Sequence, residues 1–503
     1  MPAFREPLFL FHLTLEMLTQ ESGIEVLNKY LQLDSAKKAL PLMVDAAGNR
    51  VRNQKVIRKL RGQDVERWSR FAELEKTCLH YFQSIDATSS TENLHTDAIG
   101  QLSFQHDLLK GLNYVPYLLF TVSLFKIYAV PAMALLMPIL AVVIPFILVR
   151  FVYKLPISAL QYTKILSQMW MRDPVQSFVF MIGFVQGIIQ PIQNAIHYNE
   201  TDKVITDVGD AVLELRLHIE DIRADFVEFG IDFPVTTLLQ SLDSTDARQA
   251  FMLIHEKRVV LESVFMNLGE LEVLWALAQV PTFREVQFVK SNRPFLQIEG
   301  LQDITIDESI RVKASVKLDR TSHHCLVTGP NGGGKSSSLR AILQSVLLAQ
   351  TFGFAFIDSM ALTRFSWIHS GLQIKDQPGK KSLFQAEVRF AAKLLRKNKG
   401  LGLLLYDEIF HSTNPPDCKR SADVFLKQLW RKQNIATFIS THVFELVDEA
   451  PPTIQRLCVS ATPEPETQAL RFEYQLRKGV SRVSSVDMIL KREGLMGAVE
   501  EVR

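Results

Sequence analysis

The octapeptide GPNGGGKS at positions 329 to 336 restricts what this chain can fold into more than any other stretch. It fits the spacing G-x-x-x-x-G-K-[ST], and the apolar lead Cys325-Leu326-Val327 predicts a strand entering it. Gly329, Gly332, Gly333 and Gly334 let backbone N–H groups turn inward around phosphate oxygens without Cβ collisions. Lys335 supplies a point charge to the β- and γ-phosphates. Ser337 to Gln350 has helix-forming composition, so an anion-favouring helix N-terminus lies beside it. In such a loop Pro330, Asn331 and Ser337 border the phosphates, and the Ser336 hydroxyl is placed to coordinate Mg²⁺. The ligand implied is ATP with Mg²⁺.

The run LLLYDEI, Leu403 to Ile409, supplies the second half of a hydrolytic site. An acidic pair ending a buried strand suits two tasks: Asp407 holds the metal through water, and Glu408 orients or deprotonates the attacking water. In open α/β sheets the ligand sits at the carboxyl ends of strands, where both motifs fall. From about Ser291 the composition turns to short strand-like runs with helices between them. Ile304 to Leu318 reads as paired strands, Ile435 to Ser440 and Leu457 to Ala461 as short strands, and Arg471 to Leu476 as an edge strand. Residues 291–503 are therefore an α/β nucleotide-binding domain.

The 503 residues suffice for roughly three domains. Lys plus Arg number 56 against 54 Asp plus Glu, so bulk charge gives no pull toward nucleic acid, although a local basic face stays open. Cys78, Cys325, Cys418 and Cys458 lie far apart without a C-x-x-C pair, which points to neither zinc nor a disulfide framework and fits a reducing compartment. Met1 to Phe11 lacks the order of a secretory signal.

An apolar block interrupts the first half. Between Lys126 and Arg150 stand 23 consecutive uncharged residues, more than a transmembrane candidate requires, with no polar face. Pro131, Pro138 and Pro145 recur every seven residues, a spacing tolerated in a bilayer where neighbours satisfy freed carbonyls. The reading is a membrane hairpin within 114–153, turning near Val130-Pro131, with Lys126 reaching the far interface. A second uncharged run, Pro174 to Ile196, carries Gln176, Gln186, Gln190, Gln193 and Asn194 and reads as an interfacial or partner-packed helix. Eight basic residues between Arg50 and Arg70 favour the cytoplasmic side, where an ATPase must also face.

Around that block the pattern is helical. Residues 1–113 hold amphipathic pieces around Leu8 to Leu33 and Val65 to Phe82, with a loop over Ile85 to His95. In 197–290, Val208, Val212, Leu215, Ile219, Ile222 and Phe226 form one seam, and Leu261, Val264, Leu268, Leu271 and Trp275 another, as core helices packed on each other require.

The passage TGPNGGGKSSSLRAILQSVLLAQTFGFAF resembles the nucleotide-binding signature of the MutS family of DNA mismatch-repair ATPases. Four further segments follow in the family's order: GKKSLFQAEV (Gly379 to Val388), DEI ahead of Ser412-Thr413-Asn414, STHVFEL (Ser440 to Leu446) and YQLRKGVSRVSSV (Tyr474 to Val486). Upstream, LGELEVLWALA and SNRPFLQIEG resemble the end of the family's lever helices and the strand entering its ATPase. The resemblance spans about residues 260 to 490. It implies an ABC-type P-loop ATPase domain behind a mostly α-helical lever and core region, here with an inserted hydrophobic segment.

The resemblance also implies roles. Ser382 would reach the γ-phosphate on an opposite subunit, making hydrolysis the property of a dimer, a homodimer in the simplest case. His442 would sense the γ-phosphate or stabilise the nucleophilic water, and Asn331 would bond across the dimer or to the phosphates. His323, His324 and His411 match nothing in the family and read as solvated loop residues. Phe410 and His411 stand where the family has glycine and arginine, which puts that loop's subunit communication in doubt. Four F-x-E tripeptides, at Phe4, Phe71, Phe226 and Phe283, share the form of the family's DNA wedge, and none is assigned.

Two functions follow. One is a membrane-attached MutS-like ATPase whose nucleotide cycle drives lever helices acting on DNA or on a repair partner protein. The other is a membrane switch or motor that has kept the ATPase and lost DNA contact. An ABC transporter fits less well: no LSGGQ-type segment precedes LLLYDEI, and the interval 407 − 335 = 72 residues is short for that class.

Overall fold

Among the described residues, twelve strands lie between 283 and 478, and their hydrogen-bonded pairing sorts them into three sheets. The computed structural model describes residues 18–45, 49–62, 67–87, 99–170, 174–228, 246–318, 321–372, 383–396, 399–463, 470–486 and 489–490. In chain order the strands are β1 (Phe283–Glu285), β2 (Gln287–Phe288), β3 (Leu296–Leu301), β4 (Ala314–Leu318), β5 (His324–Thr328), β6 (Phe354–Phe356), β7 (Ser359–Leu362), β8 (Trp367–Gly371), β9 (Gly402–Tyr406), β10 (Ile435–Ser440), β11 (Gln455–Pro463) and β12 (Leu470–Lys478).

The principal sheet runs β12-β11-β5-β10-β9-β8, parallel except for β12, which pairs antiparallel at the edge. Every residue of β5, β9 and β10 is buried, as continuous apolar runs covered on both faces must be. β12 lies at the edge and is mostly exposed, but the predicted alternation breaks at its middle: Phe472 and Glu473 are both half-buried, Tyr474 and Gln475 both exposed, and Tyr474 has φ 54°. A second sheet, β2-β7-β3-β4, and the pair β1-β6 complete the domain. Only Ala314–Leu318 of the Ile304 to Leu318 stretch is a strand, and it pairs with Leu296–Leu301. The intervening residues close turns instead: Asp303 accepts from the Thr305 amide at 3.0 Å and Asp307 from the Ser309 amide at 2.9 Å.

The chain divides into two compact units, residues 1–65 with 268–503, and residues 66–267. In the first, short N-terminal helices pack onto the nucleotide-domain fold. Buried Glu272 accepts from the amides of Gln32 at 2.6 Å and Leu33 at 2.9 Å, ahead of the Asp34–Asp45 helix. Asn53 on the Arg50–Leu60 helix donates to the Thr351 carbonyl at 3.0 Å. The basic run starting at Arg50 is partly spent here: Arg50 stacks on Phe288, Arg58 pairs with Glu285, and Arg61 bonds the Phe283 carbonyl.

The second unit is helical. Its spine is a 55-residue helix, Pro174–Glu228, interrupted in composition by Pro191. Val208, Val212, Leu215, Ile219 and Ile222 are buried along it, against the Arg67–Ala87 and Ala247–Glu256 helices. The latter approaches so closely that a Cβ on Gly209 would lie 1.9 Å from the Ala247 carbonyl oxygen. The Phe226 side chain lies outside the described residues. Leu261, Val264, Leu268, Leu271 and Trp275 are buried on the Arg258–Gln279 helix.

The apolar block departs from the predicted hairpin. Leu118–Val152 is one continuous helix that passes Val130-Pro131 without turning. A π-helical turn at Phe125–Ala129 leads into Pro131, which sits at the start of the next α-helical stretch, where its missing N–H costs least. A second π-helical turn, Leu148–Val152, follows Pro145. The helix packs along Pro174–Glu228, so the hairpin is built from these two helices, joined through Ala159–Trp170.

Candidate functional site

β5, β10 and β9 are parallel neighbours, so their carboxyl ends deliver three segments to one edge of the sheet: the glycine loop, Thr441-His442 and Asp407-Glu408. Gly334 precedes the Lys335–Phe352 helix with φ 96°, a left-handed conformation that favours glycine. A Cβ there would also stand 3.1 Å from the Tyr474 ring. The loop is braced from outside by Ser485, which donates to the Asn331 carbonyl at 3.0 Å, and from within by the Gly333 N–H, which donates to the Pro330 carbonyl at 3.1 Å.

Lys335 is buried, and its Nζ donates to the carbonyls of Gly329 at 3.0 Å and Pro330 at 3.2 Å. Burial lowers its pKa, against the opposing pull of Glu408 and Asp407. Ser440, at the end of β10, organises the acidic pair. Its hydroxyl donates to Asp407 Oδ1 and accepts the Glu408 amide at 2.8 Å. Glu408 has φ 50°, and its Oε1 lies 3.1 Å from His442 Nε2. The hydrogen bond from His442, with smaller contributions from the charges of His442, Lys335 and His411, holds the Glu408 carboxyl below its usual range in spite of partial burial.

Lys335 and Glu408 face a common cavity of about 610 Å³, which Pro330, Asn331, Gly332, Gly334, Ser336 and Ser337 also line. Gly329 and Gly333 shape the loop behind it. Ser382 lies outside the described residues. The far wall comes from residues that sequence reasoning missed: Ile306, Ile310, Arg311 and Val312 from the turns ahead of β4, and Tyr474 from β12, whose side chain is 45% exposed. These provide an apolar, partly aromatic surface suited to a flat ring. Ser440 and Tyr474 fall within segments that carry the family resemblance, which is the one signal that pointed toward them.

The donor set fits Mg²⁺ held with a nucleotide. No group of three or more His, Cys, Asp or Glu side chains gathers as a metal cage among the described residues. Mg²⁺ keeps waters and phosphate oxygens and needs only one or two protein ligands, which Ser336 and Asp407 would be.

The histidines differ from expectation. His323 and His324 are buried at the start of β5; His324 bonds Thr437 Oγ1 and the Lys432 carbonyl, each at 3.1 Å. Burial, aided by His323, pushes its pKa down to about 3. His411 is half exposed, yet Nδ1 lies 2.9 Å from the Glu408 carbonyl and 3.2 Å from the fully buried Glu387. Ser412 donates to the same Glu387. Phe410, with φ 56°, is buried between Phe384 and Phe425, so packing holds a conformation that glycine would adopt freely. Two of the F-x-E tripeptides cannot present a wedge, since Phe71 and Phe283 are buried. Phe4 lies outside the described residues.

Residues 325–492 match the family model of MutS domain V. The DNA mismatch repair protein MutS of Thermus thermophilus is 28% identical over 279 residues, covering 52% of this chain and 32% of that protein. Its counterpart from Leuconostoc citreum is 28% identical over 233 residues, covering 44% of this chain and 26% of that protein. The chain thus spans about a third or less of the length of these relatives. MutS domain V is an ABC-type P-loop ATPase domain, and residues 325–492 of this chain are similar to it.

Proposed function

We propose that this chain binds ATP with Mg²⁺ and hydrolyses it, and that a homodimer coupled to this cycle acts on DNA, alone or through a repair partner protein. The observation that carries the reading is that Lys335 and Glu408, from separate strand ends, face one cavity large enough for a nucleotide. Lys335 exchanges its contacts with the loop carbonyls for phosphate oxygens when the ligand enters. Mg²⁺, when bound, supplies charge neutralisation on the β- and γ-phosphates. Glu408, kept ionised and oriented by His442, aligns a water and takes its proton as the water oxygen attacks the γ-phosphorus. The bond from that phosphorus to the β,γ-bridging oxygen breaks, leaving ADP and inorganic phosphate. Ser382 of a second copy completes the γ-phosphate site in the family's manner.

The test is ATP turnover of the purified chain with no DNA, homoduplex DNA and mismatched DNA, across a salt series. Stimulation that falls steeply with salt supports action on DNA, because phosphate contacts release counterions. Turnover indifferent to DNA but altered by lipid vesicles supports the second reading, a membrane-bound switch, which the exposed apolar helix favours. Absence of ATP binding overturns both.

A further inference from the structure

The helix Leu118–Val152 has a mean hydropathy of 2.8 in its most apolar window, and none of that window is buried. Met133, Met137 and Ile139 are all more than half exposed, and beyond Val130 cover is confined to the stripe of Pro131, Ala134, Pro138, Val142, Phe146 and Val149. A helix lying in the plane of a membrane keeps one polar side, and this one has none. The second leg is also uncharged, from Pro174 to Asn199, with Val175, Met181 and Ile196 more than half exposed.

Both legs are pinned at one end. Asp202 accepts from Ser123 at 2.7 Å and from Arg248 at 3.0 and 2.7 Å, and Arg248 also stacks on Phe120. From that pin roughly 29 residues run out to Val152 and roughly 28 run back from Pro174, about 43 Å each at a helical rise of about 1.5 Å. The legs therefore match. Each uncharged stretch, roughly 23 and 26 residues, measures about 34 to 39 Å, enough for a hydrocarbon core of about 30 Å. Tyr117 and Tyr128 ring the pinned end, and Phe151 and Tyr153 the outer end, all exposed, as residues at the two interfaces would be.

We propose that these legs form a helical hairpin that crosses a lipid bilayer twice, returning both ends to the side on which ATP is bound. A single crossing would put Ser123 and Arg248 on opposite sides of the membrane, yet both hold Asp202. The second, glutamine-containing leg must therefore cross with the first. Loop charge does not decide orientation: four Lys or Arg lie in 106–126 and 200–220 taken together, and four in 150–172. The packed base requires only that both ends share one side. The sidedness rests on the ATP reading above, whereas the double crossing does not.

Cys78, Cys325, Cys418 and Cys458 are all buried, so a membrane-impermeant maleimide reads introduced thiols against a silent background. Full-length His106→Cys, Asp210→Cys and Ser158→Cys place one thiol before the first leg, one after the second and one at the outer end. In sealed vesicles exposing the base, His106→Cys and Asp210→Cys label at once. Ser158→Cys labels at least tenfold more slowly until the vesicles are permeabilised. The unsubstituted protein stays in the membrane pellet through an alkaline carbonate wash. Release by carbonate, or equal labelling of all three positions in sealed vesicles, overturns the proposal in favour of a protein partner or a surface association. Labelling of His106→Cys and Asp210→Cys from opposite faces overturns the double crossing. A failure to bind ATP would leave these labelling patterns unchanged.

Discussion

Ser440 donates its hydroxyl proton to Asp407 while accepting the backbone amide of Glu408 at 2.8 Å, so one side chain from β10 sets both acids at the end of β9. Ser440→Ala removes both contacts without altering the acids. Loss of such a supporting partner costs about 10- to 100-fold in metal affinity or activity. The expected outcome is a raised Mg²⁺ requirement with kcat lowered in that range, measured by turnover against Mg²⁺ concentration. Unchanged Mg²⁺ dependence would remove Asp407 from metal binding.

Glu408→Gln keeps the size of the side chain and discards its basicity. Loss of a general base typically lowers rate by about 10²- to 10⁴-fold. ATP affinity, measured by equilibrium binding, stays within about twofold, and the ATP-bound variant dimerises more strongly than the parent. Full turnover in this variant would take Glu408 out of catalysis.

The His442 contact lowers the Glu408 pKa, so a base that must be ionised stays active into acid. Activity is present above the folded pKa and is lost as pH falls through it, so the acid limb of kcat/KM lies below the ordinary glutamate value of about 4.3. In His442→Ala that limb moves up toward the ordinary value. A limb that stays in place in the variant refutes the coupling.

Phe410 combines deep burial with a φ of 56°. Phe410→Ala forfeits packing against Phe384 and Phe425 and costs about 3 to 5 kcal/mol in urea unfolding. Phe410→Gly loses the same contacts but relieves the left-handed backbone, a strain of about 1 to 2 kcal/mol for a residue with a Cβ. The glycine variant should therefore be the more stable of the two by about 1 kcal/mol, and the reverse order would show that the backbone conformation carries no cost.

Asp202 and Arg248 are largely enclosed at the base of the hairpin. Asp202→Ala strands the guanidinium, and breaking an enclosed pair from one side costs about 3 kcal/mol. Thermal unfolding should register that loss, with a smaller one in Asp202→Asn, which keeps an acceptor for Ser123.

The strands around the glycine loop were legible because buried parallel strands are continuous apolar runs, and Cys325-Leu326-Val327, Leu403 to Tyr406 and Ile435 to Ser440 are such runs. Ile306, Ile310 and Val312 were not legible as a cavity wall, since successive turns place them and turns have no period. His323 and His324 read as loop residues because nothing local reveals that Lys432 and Thr437, more than a hundred residues on, enclose them. The hairpin was legible in composition but not in its bend: the turn expected near Val130-Pro131 is absent, because a π-helical turn at Phe125–Ala129 carries the helix into Pro131. Ser382 lies beyond the described residues, and its role rests on resemblance.

Pro191 leaves the Gly187 carbonyl without its helical amide partner, inside a helix of 55 residues, about 80 Å long. Stiffness is thus uneven along the spine. Its soft joint falls within the second leg, so torque applied at the seam of Val208 to Ile222 is absorbed at 187–191 before it reaches the outer end. The two stretches can therefore pivot separately, as a shaft does on a flexible coupling.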